Sequence, residues 1–146
     1  MTTNDASNGA AGDPARAADG GRPLRTELTV KELAYLRGQR LGRLATVDRD
    51  GRPQVNPVGF FLREDGGVDI GGWHMGRTRK WRNIAGNPNV SLVVDDVASA
   101  DPWKVRGVEI RGTAEQVEGP HEYGAYMSRQ LIRIRPCKIF GWGIDE

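Results

Sequence analysis

The first pattern of apolar and polar positions along the chain predicts a helix. In "LTVKELAYLRGQ", Leu33, Tyr35 and Leu36 supply an apolar face at helical spacing. Thr29 precedes this face, and Glu32 follows three residues later, which is the pattern of a capping box. The sequence therefore predicts a short helix that begins after Thr29.

Residues 41–74, "LGRLATVDRDGRPQVNPVGFFLREDGGVDIGGWH", change to a strand pattern. Two turn signals, Asp50-Gly51 and Asp65-Gly66-Gly67, divide the segment into three strands joined by hairpins. Gly51 can adopt the positive φ that tight turns require.

A helical spacing returns in residues 77–88, "RTRKWRNIAGNP". Trp81, Ile84 and Ala85 fall at positions i, i+3 and i+4, which predicts a short helix that ends near Gly86. Thr78 stands where an N-cap is needed.

The remaining segments predict three more strands and one further helix. Residues 90–97, "VSLVVDDV", are typical of a buried strand, and residues 105–118 alternate apolar with polar positions, which indicates a strand with one wet face. Pro120 opens a predicted helix over residues 121–130, and residues 131–143 form the last strand. Six strands and short helices make this a mainly β fold, for which a small antiparallel barrel is the best fit.

Length and composition limit the function classes. The 146 residues suggest one domain, and residues 1–26 contain too few large apolar side chains to order, so we predict a disordered tail followed by a folded domain over residues 27–146. The chain shows no signal-peptide core and no membrane-length apolar run, which predicts a cytoplasmic protein without a membrane partner. A net charge of +2 gives no support for a nucleic-acid partner, and one Cys with two His gives none for a metal site.

The basic residues Arg77, Arg79 and Lys80 surround Thr78 at the predicted junction of a strand and a helix. Cations at a helix N-terminus oppose the macrodipole by about 0.3–1 kcal/mol each, and an anion bound there reverses the sign. The segment is either a solvated basic face or an anion site, and its position at the junction leaves both interpretations open.

Two other places suggest an approaching ligand or chain. The dipeptide Asn56-Pro57 interrupts a strand, and because Pro lacks an N–H it indicates an edge or a bulge. Gly72 precedes Trp73 and permits the close approach of a ligand or of another backbone. Either feature also fits an ordinary irregularity of a barrel.

Three segments together resemble the pyridoxamine 5'-phosphate oxidase-like superfamily: "RLGRLATVDRDGRPQVNPVGFFL", "GRTRKWRNIAGNPNVSLVVDD" and "RGVEIRGTAE". Within it, the chain is most similar to the small deazaflavin-dependent oxidoreductases that use coenzyme F420. The resemblance covers residues 27–146. It implies an FMN-binding-like split β-barrel that forms a homodimer, with the cofactor at the subunit interface.

The resemblance also implies a set of cofactor-binding residues. The basic segment would hold cofactor phosphate, one strand would lie against the ring, and a glycine and a tryptophan would line its other approach. These positions are Arg77, Thr78, Arg79, Lys80 and the supporting Asn83; Val55, Asn56, Pro57 and Val58; and Gly72 and Trp73.

No catalytic acid or base stands out, which fits chemistry carried by a cofactor. The chain ends "IFGWGIDE" and lacks the Arg-Leu-x-Pro-type ending of authentic pyridoxamine phosphate oxidases, which argues against pyridoxal phosphate synthesis. The resemblance therefore favours a reductase that uses reduced coenzyme F420 to deliver a hydride to a small conjugated or heterocyclic acceptor. An FMN-dependent flavoprotein, or a cofactor- or haem-binding protein without turnover, are the alternatives.

Overall fold

The strands that the alternating pattern predicts form a closed antiparallel barrel in a computed structural model, which describes residues 24–144. The elements are α1 (Val30–Arg37), β1 (Leu41–Val47), β2 (Pro53–Leu62), β3 (Val68–Gly71), a 3-10 helix (Met75–Arg77), α2 (Arg79–Gly86), β4 (Asn89–Ala100), β5 (Trp103–Glu118) and β6 (Gln130–Trp142). Around the barrel the order is β1-β2-β3-β6-β5-β4, and β4 closes on β1. The mainly β fold with six strands is confirmed.

Local sequence signals place the first half of the barrel as predicted. The capping box of α1 is formed, with the Thr29 hydroxyl accepting the Glu32 N–H at 3.1 Å and the Glu32 carboxylate accepting the Thr29 N–H at 2.9 Å. Gly51 and Gly66 adopt φ values of 80° and 90° in the two hairpin turns. These are left-handed conformations that glycine adopts without steric cost, so the two glycines determine the positions of the turns.

The core fills the inside of the barrel. Side chains on all six strands contribute to it, and α1 and α2 add Leu36 and Ile84. On β5, Val108 and Ile110 are buried while Arg111 between Ile110 and Gly112 is exposed, as the alternating pattern predicts. One apolar face per strand therefore supplies most of the core, and the helices complete it.

The two α-helices cover opposite ends of the barrel. In α1, the Tyr35 hydroxyl donates to Asp96 at 2.8 Å, near the end of β4, whereas the Trp81 carbonyl in α2 accepts from Gln116 at 2.9 Å, near the end of β5. Ala85, which the spacing placed on the apolar face of α2, is exposed, and Asn83 is buried in its stead. Within residues 24–144, no helix has the length and apolarity needed to cross a membrane.

A bulge bends β6 against β5. The register moves from Arg111 opposite Lys138 to Gly112 opposite Pro136, so Cys137 is the extra residue. Pro136 fits here because a bulge tolerates a residue that donates no ladder hydrogen bond. A side chain on Gly112 would begin only 2.2 Å from the Arg135 carbonyl oxygen, so glycine is required at this position.

The helix predicted over residues 121–130 is wrong. This segment is a loop without helix, which we call the 119–129 loop. Gly124 has a φ of 150°, outside the helical region, and the His121 ring accepts the Tyr123 N–H that a helix would use. Local hydrogen bonds therefore replace the helical ones.

The predicted tail, residues 1–26, lies outside the described residues except for its last three. Of these, Arg25 binds the buried Glu32 carboxylate with two hydrogen bonds, at 2.8 and 2.9 Å. The Arg25 carbonyl also accepts the Ile139 N–H at 2.8 Å. The packed part of the chain therefore includes Arg25 and begins before the predicted boundary.

Candidate functional site

The basic segment begins at the 3-10 helix and continues into the first turn of α2. Thr78 stands between the two helices with extended backbone and is the N-cap of α2, as predicted. Its hydroxyl accepts the Trp81 N–H at 3.3 Å and donates to the Met75 carbonyl at 2.7 Å. This one side chain therefore fixes where α2 starts and how the preceding turn joins it.

Replacing Thr78 with alanine should lower the free energy of unfolding by about 0.5–2 kcal/mol, because α2 then loses its N-cap. Urea denaturation of the ligand-free protein measures the change. Thr78→Ser keeps the hydroxyl and is the matched control, so it should retain most of the stability. Equal losses in both variants would contradict the capping role.

The cations of this segment lack carboxylate partners. Arg77 and Arg79 are exposed and Lys80 is half-buried. None of the three forms an ion pair anywhere in residues 24–144. Burial lowers the pKa of the Lys80 ammonium below its usual range, and no neighbouring anion restores it. The uncompensated charge is what an anion site requires.

One carboxylate outside the segment, that of Asp48, interacts electrostatically with Arg79. Hydrogen bonding from the Arg52 backbone N–H lowers the pKa of Asp48, and the Arg79 charge contributes to the same direction. Asp48 belongs to the turn between β1 and β2, where its carboxylate already accepts two backbone N–H groups. It therefore mainly stabilises its own turn, and its attraction to Arg79 acts without a direct ion pair.

The second predicted group, on β2, divides between two faces of the strand. Val55 and Pro57 are exposed, Asn56 is half-buried, and Val58 is buried in the core. Pro57 pairs with Arg43 in a regular register, so of the two predicted alternatives, an edge or a bulge, the bulge is absent. Among the described residues, this half of β2 pairs with β1 alone and is an edge, because β3 pairs with β2 only from Gly59 onward.

The basic segment and β2 are joined by Asn83. We predicted that this residue supports a phosphate, but its side-chain nitrogen donates to Thr46 and to Gln54, each at 3.0 Å. Gln54 in turn donates to the Asn56 side-chain oxygen at 2.8 Å. Asn83 therefore holds α2 against β1 and β2 and connects the two predicted groups.

The third predicted group, Gly72 and Trp73, lies between β3 and the 3-10 helix. Trp73 is 70% exposed, and the Gly72 carbonyl accepts both the backbone N–H and the hydroxyl of Ser128, at 2.9 and 3.2 Å. The Ser128 hydroxyl also accepts the Met75 N–H at 3.2 Å. The 119–129 loop therefore holds the turn that leads into the basic segment.

A buried carboxylate that the sequence analysis missed anchors the same loop. Asp69 is fully buried on β3, where Arg133 donates to it at 2.8 and 3.1 Å and the Tyr123 hydroxyl at 2.8 Å. Burial acts to raise the pKa of Asp69, but the hydrogen bonds from Arg133 and Tyr123 and the charge of Arg63 outweigh it and lower the pKa. Tyr123 also stacks on Phe61, with ring centres 4.2 Å apart. A polar residue in the middle of a short strand was the only available signal.

A cavity of about 680 Å³ lies elsewhere on the protein, beside α1 and the turn between β2 and β3. None of the predicted site residues lines it, and its lining carries arginines and carboxylates together, among them Arg63, Asp65 and Arg133. Those three already take part in ion pairs. Two further lining arginines, Arg37 and Arg135, form no ion pair with the described residues, but the cavity also contains carboxylates, whereas the basic segment contains none.

The barrel and the order of its motifs define a family. The sequence pattern of the family described as pyridoxamine 5'-phosphate oxidase matches residues 28–139, which is most of the chain, and the chain belongs to this family. The resemblance seen in the sequence is thus confirmed at the level of the family.

Similar proteins include one reductase. A 5a,11a-dehydrotetracycline/5a,11a-dehydrooxytetracycline reductase from Streptomyces rimosus subsp. rimosus is 47% identical over 119 residues, which cover 80% of this chain and 84% of that protein. Among solved structures, protein Rv2991 from Mycobacterium tuberculosis has a TM-score of 0.63 at 21% identity and covers 83% of this chain and 89% of its own. An FAD-binding protein from Mesorhizobium loti has a TM-score of 0.59 at 20% identity, with coverages of 82% and 97%.

Proposed function

We propose that this protein is an oxidoreductase that binds a flavin-type cofactor and reduces a small conjugated acceptor, with reduced coenzyme F420 as the cofactor. The observation that carries the proposal is the basic segment, where Arg77, Arg79 and Lys80 have no carboxylate partner in residues 24–144. The reductase that is 47% identical to the chain supports the reaction class.

The residues present fit a phosphate-bearing cofactor. The first-turn N–H groups of α2 other than that of Trp81, together with the three cations, match a phosphate, since helix N-termini and guanidinium groups both bind anions. The Asn56 side chain has its oxygen engaged by Gln54, and its nitrogen makes no hydrogen bond to the described residues, so it remains available as a donor. The cofactor would therefore be held at its phosphate by the basic segment and at its ring by β2.

The cofactor supplies the redox chemistry, and the chain supplies binding and orientation. A reduced flavin or deazaflavin donates a hydride, and reduction of a conjugated C=C double bond also takes up one proton. In this proposal the roles of the chain's own residues are to bind the phosphate, at Arg77 and Lys80, and to fix the ring orientation, at Asn56.

A second copy of the chain completes the site in this proposal. Val55 on β2 is 63% exposed and Trp73 is 70% exposed, so two residues of the proposed site present apolar surface to solvent. Apolar surface of this kind favours burial against a partner. Light scattering at micromolar concentration should give the mass of a dimer, and a monomer would contradict this part of the proposal.

Turnover tests the reaction class. We expect the protein to reduce 5a,11a-dehydrotetracycline or 5a,11a-dehydrooxytetracycline under anaerobic conditions when reduced coenzyme F420 is supplied, with products separated by chromatography. Parallel reactions with reduced FMN compare the two cofactors. If the acceptors are reduced with FMN but not with coenzyme F420, the cofactor is a flavin and not a deazaflavin. If neither acceptor is reduced with either cofactor, the proposed substrate class is contradicted.

A further inference from the structure

A chain of side-chain amides runs from α2 to β2 beneath the proposed site. The Asn83 nitrogen donates at 3.0 Å to the hydroxyl of Thr46 and at 3.0 Å to the side-chain oxygen of Gln54. The Gln54 nitrogen then donates to the Asn56 oxygen at 2.8 Å. Asn83 and Thr46 are only 8% and 1% exposed, so this chain, which we call the amide relay, is shielded from water at its inner end.

The amide relay has a direction. A side-chain amide carries one oxygen that accepts and one nitrogen that donates. Because the Gln54 oxygen accepts from Asn83, the Gln54 nitrogen is the group that faces Asn56, and Asn56 must offer its oxygen in return. The nitrogen of Asn56 is then its free polar end, since it makes no hydrogen bond within the part of the chain that the structure describes.

We infer that Gln54 is a positioning residue that fixes Asn56 as a hydrogen-bond donor to a ring carbonyl of the cofactor. This inference rests on the proposed function. Flavins and deazaflavins share a pyrimidine-dione ring with two carbonyl oxygens, and a fixed N–H donor is complementary to either oxygen. Without Gln54, the Asn56 amide can rotate and present its oxygen, which repels a carbonyl.

The relay also links the two ends of the proposed site. Asn83 lies on α2, whose first turn contains the cations, while Asn56 lies on the strand proposed to face the ring. A buried amide with both donors engaged resists movement, because breaking either bond leaves a buried polar group unpaired. The distance between the phosphate end and the ring end is therefore fixed by Asn83 and Gln54 before the cofactor binds.

A double-mutant cycle tests the inference. Gln54→Met keeps the length of the side chain and removes its hydrogen bonds, and Asn56→Leu removes the donor. Titrations of FMN and coenzyme F420 should show that each single variant weakens binding about three- to tenfold. The double variant should lose no more than Asn56→Leu alone, because Gln54 acts through Asn56.

A second glutamine is the matched control. Gln116 also donates to α2, at the Trp81 carbonyl, but makes no contact in the relay. Gln116→Met should therefore leave cofactor affinity unchanged. A loss equal to that of Gln54→Met would mean that any loosening of α2 weakens binding, and it would overturn the positioning role.

A readout without cofactor separates positioning from stability. In ligand-free protein labelled with ¹⁵N, Gln54→Met should change the side-chain amide signal of Asn56, and Gln116→Met should not. An unchanged Asn56 signal, or additive losses in the cycle, would overturn the role of Gln54 alone. Failure of the wild type to bind either cofactor would overturn the proposed function as well, so the two failures are distinguishable.

Discussion

Alanine in place of Arg77 or Lys80 should weaken cofactor binding about ten- to a hundredfold while the barrel remains folded. Each substitution removes a charge-assisted hydrogen bond worth about 1.5–3 kcal/mol, and about 1.4 kcal/mol is a factor of ten in affinity. Fluorescence titrations with coenzyme F420 and with FMN measure the loss.

Three comparisons separate this effect from a general loss of charge. Arg135→Ala removes an exposed arginine on β6 and should leave the affinity unchanged. Lys80→Ala should hold or raise the stability of the ligand-free protein, because the ammonium is partly desolvated without an anion beside it. Higher salt should weaken wild-type binding more than binding by either variant. Unchanged affinity in both Arg77→Ala and Lys80→Ala would contradict the phosphate site and support the interpretation of the segment as a solvated basic face.

Asp69→Ala should have the largest effect on stability, a loss of about 3–5 kcal/mol in the free energy of unfolding. The reason is that Arg133 would lose the buried carboxylate that accepts from two of its three guanidinium nitrogens, and the Tyr123 hydroxyl would lose its acceptor. Urea denaturation at neutral pH measures this change. Asp65→Ala is the control, because the ion pair of Asp65 with Arg63 is exposed and such pairs contribute at most about 1 kcal/mol.

The same carboxylate predicts an acid-sensitive part of the stability. The folded-state pKa of Asp69 is lowered, so its contribution is fully present above the unfolded-state pKa of about 3.9 and is lost as pH falls through the folded-state value. Asp69→Asn should therefore lose less stability than the wild type between about pH 5 and the acid transition. Parallel losses over this range would contradict the assignment.

Local chemistry made much of the fold predictable. Thr29 and Thr78 cap their helices through side chains within three residues, and Gly51 and Gly66 set turns through their own backbone angles. Such signals need no knowledge of distant segments. The six strands followed because burial on one face imposes a period of two on each of them.

Contacts between distant segments contribute to both failures of prediction. Pro120 and the residues after it are compatible with a helix, but Tyr123 binds Asp69, which is 54 positions away in sequence. Ala85 fits the apolar face of α2 by spacing, yet Asn83 is buried because Thr46 and Gln54 supply partners from two strands.

In the candidate site, too, local features could be predicted from the sequence and contacts between distant segments could not. The cations of the basic segment were visible in the sequence because their charge is local and needs no partner to be noticed. Gln54 was not identified, since a glutamine on a strand has no special pattern and its role depends on Asn83 from α2. Side chains alternate between the two faces of β2, so Val55 is exposed whereas Asn56 and Val58 are half-buried and buried. This alternation was a signal that could have separated the exposed from the buried residues of the predicted group.

An equilibrium titration shows whether the basic segment binds the phosphate of a flavin-type cofactor. Wild-type protein and Arg77→Ala would be titrated with coenzyme F420, FMN and haem in one buffer, with absorption and fluorescence as readouts. We expect saturable binding of coenzyme F420 by the wild type and at least about tenfold weaker binding by the variant. Binding of haem alone, binding of none of the three, or equal affinities of wild type and variant would contradict it.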